Sequence, residues 1–210
     1  MLWGRPMLNI NEVFYSIQGE GVRSGIPHVF IRFADCNLRC VKEKEGFDCD
    51  TEFTSFRELT IEQLIAEVES TYPDNIKPGD PRWVCLTGGE PALQVTEKLL
   101  EELSLAGFKV AIETNGTVPI PHAMIDWVTC SPKTAEHTLR IGSCDELKYV
   151  RAHGQAIPMT MAVTAEHYIL SPAAEADGIP VENIQWCVDA VKNFPKWRLS
   201  IQLHKLLGVR

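Results

Sequence analysis

"RWVCLTGGEPALQVTEKLLEELSLAGFKVAIETNG", residues 82–116, holds a complete strand, loop, helix and strand in thirty-five positions. "RWVCLT" (82–87) and "KVAIET" (109–114) are short, β-branched and almost continuously apolar, as strands covered on both faces are. Between them "ALQVTEKLLEELSLAG" (92–107) sets Leu93, Leu99, Leu100 and Leu103 on one side and stops at Gly107, so the spacing predicts a crossover helix. A helix joining two such strands implies a parallel pair and a right-handed βα unit.

Outward from this unit the same kind of strand recurs in "HVFIRFA" (28–34), "DWVTCS" (126–131), "ELKYV" (146–150), "HYILS" (167–171) and "WRLSIQLH" (197–204). Two more helices are legible. In "TIEQLIAEVESTY" (60–72) Thr60 and Gln63 have the spacing of a capping box, Ile61, Leu64, Ile65 and Val68 share a face, and Pro73 ends the run. "PVENIQWCVDAVKNF" (180–194) opens with Pro180 in a first-turn position. About seven strands and three helices cannot complete an eightfold barrel, which typically needs about 250 residues. The expected fold is α/β: a partial, open barrel of parallel strands with about three crossover helices, one domain over 1–210.

Composition narrows the function. With 210 residues and 45% apolar side chains the chain can bury one substantial core, and no stretch reads as a linker. No apolar run approaches the roughly 20 residues that span a bilayer. The start, "MLWGRPMLNINEVF", lacks the pattern of a secretory signal, so a cytoplasmic protein with reduced thiols is expected. Net charge is −8 and Lys and Arg form no stripe, which favours a small-molecule partner over nucleic acid or a membrane.

Seven cysteines in a reducing compartment point to ligation, catalysis or burial rather than disulfides. Burial suits Cys85, Cys130 and Cys187, each amid apolar neighbours, and leaves Cys144 undecided. It suits Cys36, Cys40 and Cys49 poorly, because their loop, "CNLRCVKEKEGFDCDTEF" (36–53), is polar. A closed zinc site would add a fourth Cys or His at short spacing, yet His28 precedes the trio and His122 is the next histidine. An iron–sulfur cluster with three thiolates would leave one iron open.

The loops after the strands are where such folds carry chemistry. Gly88 and Gly89 allow backbone to approach a ligand, and Glu90 offers an acceptor for a cationic amino group. Arg32, on a strand leading to the cysteine loop, is suited to bind a carboxylate in two-point fashion. Gln18, Gly19 and Glu20 in "IQGEG" give flexible backbone with exposed amides, which suits either a turn or a hydrogen-bonding site.

The cysteine loop followed by a Gly-Gly-Glu after the next strand resembles the radical S-adenosylmethionine enzymes, with eight residues between Cys40 and Cys49 where the usual spacing has two. The wider set, "YSIQGEG" (15–21), "FIRFADCNLRC" (30–40), "CDTEF" (49–53), "LTGGEPAL" (86–93), "ETNGT" (113–117), "SPK" (131–133), "ELK" (146–148) and "RLSIQLHKLLGV" (198–209), resembles 7-carboxy-7-deazaguanine synthase. That resemblance implies a lyase converting 6-carboxy-5,6,7,8-tetrahydropterin to 7-carboxy-7-deazaguanine and ammonia in queuosine biosynthesis. It implies a [4Fe-4S] cluster on Cys36, Cys40 and Cys49, a magnesium ion at Thr51, and S-adenosylmethionine held by Gly89, Glu90, Ser131, Pro132, Lys133, Ser171, Pro172, Ala173 and Ala174. It implies substrate contacts from Ile17, Gln18, Gly19, Glu20, Arg32, Thr87, His204 and Arg210, a homodimer, and an external electron donor such as flavodoxin.

Two other readings compete. A glycyl-radical activase shares the Cys and Gly-Gly-Glu blocks, but "IQGEG" and "QLHKLLGV" favour the deazapurine enzyme. A non-catalytic zinc module would be colourless and would not bind S-adenosylmethionine. Direct action on tRNA is opposed by the acidic balance.

Overall fold

The computed structural model describes residues 7–42, 48–49, 51–77, 79–159, 161–175 and 178–209. Nine strands form one sheet: β1 (Leu8–Ile17), β2 (Pro27–Phe33), β3 (Arg57–Leu59), β4 (Trp83–Gly88), β5 (Lys109–Thr114), β6 (Trp127–Cys130), β7 (Ser143–Arg151), β8 (Thr164–Pro172) and β9 (Trp197–Leu199). The spatial order is β3-β1-β2-β4-β5-β6-β7-β8-β9. From β2 to β9 every neighbouring pair is parallel, giving the expected seven parallel strands in an open sheet. β1 and β3 add an antiparallel margin that the sequence reading did not anticipate.

The helices are α1 (Ile61–Thr71), α2 (Glu97–Leu105), α3 (Val181–Asn193) and the short α4 (Leu203–Leu207). The capping box at α1 is present, with Thr60 Oγ1 accepting from Gln63 N at 3.2 Å and Gln63 Oε1 accepting from Thr60 N at 2.8 Å. α2 starts later than its pattern suggested. Pro91–Leu93 form a single tight turn, Thr96 caps the helix by accepting from Leu99 N, and Leu93 is exposed rather than buried. "WRLSIQLH" is a strand only through Leu199; Leu203 and His204 belong to α4.

Side chains alternate across the parallel strands, and this alternation makes the site. Val29, Ile31 and Phe33 of β2, Val84 and Leu86 of β4, and Val110 and Ile112 of β5 join the main core, where Leu64 and Val68 of α1 and Leu99, Leu100 and Leu103 of α2 also lie. Their in-between neighbours face the other way. Phe14, Phe30, Cys85 and Ala111 make a second apolar cluster, in which Phe14 and Phe30 stack with ring centroids 5.2 Å apart. Beyond it the register aligns Arg32 with Thr87, Glu113 with Thr129, and Thr129 with Glu146, a polar belt across this face.

Candidate functional site

At the C-terminal ends of the parallel strands this belt opens into a cavity of about 260 Å³. It gathers residues from every predicted group: Cys36, Cys40, Cys49 and Thr51 from the cysteine loop; Gly89; Ser131 and Lys133; Ser171, Pro172 and Ala174; and Ile17, Gln18, Gly19, Glu20, Arg32, Thr87 and His204. Pro132 and Ala173 lie buried beside it, and Arg210 is outside the described residues.

The cysteine loop leaves β2 through Asp35, whose φ of +68° makes it the one described non-glycine residue in the left-handed region. Asp is among the residues that tolerate that conformation. The turn presses the loop onto the Gly-Gly-Glu segment. Gly89 N donates to Phe33 O at 2.9 Å, Glu90 N donates to Asp35 O at 2.8 Å, and a Cβ on Gly89 would overlap the Asp35 carbonyl. Only glycine fits at this approach.

Glu90 braces the loops around it. Its side chain is fully buried and does not line the cavity. Oε1 accepts from Ala92 N at 3.0 Å and from Thr114 Oγ1 at 2.6 Å, and Oε2 accepts from Asn115 N at 2.7 Å. Burial pushes its carboxyl above the ordinary range against these bonds. Glu90 therefore pins the loop after β4 to the loop after β5.

At the cysteine end, Asn37 is held between Asn115 Nδ2 (3.0 Å) and Thr117 Oγ1 (2.8 Å), and Cys49 N donates to Cys40 O at 3.4 Å. Cys36 and Cys40 are half-buried and Cys49 is exposed. Burial raises the Cys36 thiol above its ordinary value, and the nearby Glu90 and Cys49 charges add to that while the Leu38 N–H opposes it. Among the described residues no three His, Cys, Asp or Glu side chains already stand in a metal-binding group. What the trio shares is a rim of one cavity, with thiol chemistry suited to iron.

Elsewhere on the cavity wall the motif residues Glu113, Lys148 and Gln202 pair with the "IQGEG" segment. Glu113, at the end of β5, accepts from Gln18 Nε2 at 2.8 Å and from Thr87 Oγ1 at 3.2 Å. Lys148 of β7 is buried against Glu20, with Nζ bonded to Oε2, and Gln202 Nε2 donates to Glu20 Oε1 at 2.8 Å. Burial alone would raise the Glu20 carboxyl, but the Lys148 ammonium and the two side-chain bonds outweigh it and hold the group at about 2. Lys148 is raised in turn: burial disfavours its charge, and the Glu20 and Glu113 carboxylates more than restore it.

Backbone bonds close this end. Leu203 N donates to Gly19 O at 2.9 Å, and Gly21 N donates to Ser200 Oγ at 2.8 Å. The His204 ring lies so close over Gly19 that a Cβ there would overlap it. Arg32 pairs with Glu12 at 3.0 Å and stands over the Phe14 ring, which fixes its guanidinium at the cavity wall. Among the described residues, two buried side-chain oxygens have no hydrogen-bond partner, Ser171 Oγ and Gln202 Oε1, and both residues line the cavity.

No model of a known protein family matches the chain. Among curated proteins, the 7-carboxy-7-deazaguanine synthase of Bacteroides thetaiotaomicron is 46% identical over 204 residues, covering 97% of this chain and all of that one. The synthase of Bradyrhizobium diazoefficiens is 38% identical, covering 96% and 98%. Among solved structures, the crystal structure of QueE from Escherichia coli superposes with a TM-score of 0.64 over 94% of this chain and 95% of that one, at 22% identity, which supports the open-barrel fold. By these full-length identities, the chain belongs to the 7-carboxy-7-deazaguanine synthase family.

Proposed function

We propose that the cavity at the mouth of the sheet is the site in which this radical S-adenosylmethionine lyase converts 6-carboxy-5,6,7,8-tetrahydropterin to 7-carboxy-7-deazaguanine and ammonia, in queuosine biosynthesis. The observation that carries the reading is one cavity lined by three thiols, an arginine and a group of side-chain acceptors.

In this reading Cys36, Cys40 and Cys49 hold a [4Fe-4S] cluster, and Gly89, Ser131, Lys133 and the segment Ser171–Ala174 hold S-adenosylmethionine. Two features of the chain fit those groups: the thiols share the lining of one cavity with Gly89, and Ser171 Oγ is buried with no described partner. When bound, cluster and cofactor together supply the 5′-deoxyadenosyl radical that no side chain could generate. For magnesium the chain offers the Thr51 hydroxyl; water and substrate would complete an oxygen shell.

The rest is positioning. Arg32, aligned by Glu12 and Phe14, receives the substrate carboxylate through N–H groups that its partner leaves over. Gln18 and Thr87 are aimed by Glu113. Glu20 stays ionised and Lys148 Nζ keeps its proton, so the deep end of the cavity presents fixed charges and not mobile protons. The Phe14–Phe30 stack keeps water from the floor. A homodimer, and a one-electron donor of the flavodoxin kind acting from outside the chain, belong to the same reading. Among the described residues no helix is long and apolar enough to cross a membrane.

The test is anaerobic incubation of reconstituted protein with dithionite, S-adenosylmethionine, magnesium and the tetrahydropterin, with product followed by mass spectrometry. Formation of 7-carboxy-7-deazaguanine is expected. A protein that carries a cluster and cleaves S-adenosylmethionine without making it would sink the substrate assignment.

A further inference from the structure

We infer that Gln202 is a specificity-determining residue whose side-chain carbonyl reads the amino-bearing edge of the pterin ring. The inference rests on the reading of the cavity as the pterin site. Gln202 sits between β9 and α4, held by the bonds of Leu203 N to Gly19 O and Gly21 N to Ser200 Oγ. Its amide can face only one way. Glu20 lies against Gln202 at 2.8 Å, and an ionised carboxylate accepts but does not donate, so Nε2 must point at Glu20 and Oε1 must point away.

That leaves Oε1, on a residue that lines the cavity, buried with no hydrogen-bond donor among the described residues. A merely bracing glutamine would account for Nε2 but not for an orphaned acceptor, which is destabilising until a donor arrives. Glu20, Glu113 and Gln202 put acceptors on this wall beside the Lys148 ammonium. The pyrimidine edge of a 6-carboxypterin carries the 2-amino group and a ring N–H, both donors, which an acceptor such as Oε1 can match.

The probes are 6-carboxypterin and 6-carboxylumazine, in which an oxo acceptor replaces the 2-amino donor. Their affinities for the reconstituted protein with S-adenosylmethionine and no reductant can be followed by ligand fluorescence. Wild type should bind the pterin roughly 10- to 100-fold more tightly, the span expected for an unmatched buried acceptor. Gln202→Met should shrink that preference to within about 3-fold by losing pterin affinity, and should raise KM more than it lowers kcat. Equal binding of the two probes by wild type overturns the inference without reference to any variant. So does a Gln202→Met protein that weakens both equally, the signature of a brace. If wild type binds neither probe, the pterin reading of the cavity fails first and the inference falls with it.

Discussion

The two ends of the cavity are built differently. Around Glu20, each polar side chain is fixed by another: Lys148 and Gln202 hold the carboxylate, Glu113 holds Gln18 and Thr87, and Ser200 holds the Gly21 amide. Around the cysteines, Asn37 anchors the start of the loop, but Cys49 is exposed and meets Cys40 through a long 3.4 Å backbone bond. One wall is organised by the protein's own pairing. The other brings three thiols together, and at Cys36 burial and neighbouring negative charge both push the thiol up. Such a loop is suited to being ordered by a cation that its thiolates bind.

Cys40→Ala should have the largest effect and act only on the loose end. Product formation should fall at least about 10³-fold and the brown iron–sulfur absorbance should disappear, because no described thiol outside Cys36, Cys40 and Cys49 lines that cavity to replace the lost ligand. The melting temperature of the cluster-free protein should stay within about 2 °C of wild type; a collapse of the cluster-free fold would erase the contrast between the two ends.

Lys148→Met tests the tight end. It strands the buried Glu20 charge and should cost about 3–5 kcal/mol in urea unfolding, the range for one lost partner of a buried pair. A loss under about 1 kcal/mol would show that this wall is not held by pairing.

Gly19→Ala should cost less, about 1–3 kcal/mol by overpacking, since the new methyl group must displace the His204 ring. It should also weaken pterin binding.

The smallest effect is on acid stability. Glu20 is held at about 2 in the folded protein against an ordinary 4.5, so its pairing stabilises the fold above pH 4.5 and is lost as pH falls toward 2. Urea unfolding at pH 5 and pH 3 should show a steeper loss in wild type than in Lys148→Met. Parallel losses in the two proteins would remove Glu20 from the account.

Much of the architecture was readable because its signals are local. The β4–α2–β5 unit, the Thr60–Gln63 box and the loops that follow β2, β4, β5 and β6 all lie within short windows. β1 was missed because it belongs to the antiparallel margin, and Asn9, Asn11 and Glu12 interrupt its apolar pattern. The start of α2 was placed too early because Pro91 and Thr96 are both plausible helix openings, and the tight turn took the first.

Within the site, the cysteine trio and Gly89 could be picked out by residue type, whereas the type of Glu90 does not tell that it braces two loops. Glu113, Lys148 and Gln202 lie in the blocks "ETNGT", "ELK" and "RLSIQLHKLLGV", but their pairings with Gln18 and Glu20 carry no local signal. Their placement depends on strand register and on a tail that folds back, with β9 ending at Leu199 so that Ser200 and Gln202 can meet the Gly21 amide and Glu20.

That closure has a consequence for folding. The bond from Gly21 to Ser200 joins residues 179 apart in sequence, and that from Gln202 to Glu20 joins residues 182 apart. Contacts of such separation gain nothing until the intervening chain is already arranged, so this wall is a late event in folding. The same ordering should hold in reverse: the Leu203 and Gly21 amides should exchange their hydrogens through partial openings that leave the β4 and β5 amides protected, making the recognition end of the cavity the first part of the native state to come undone.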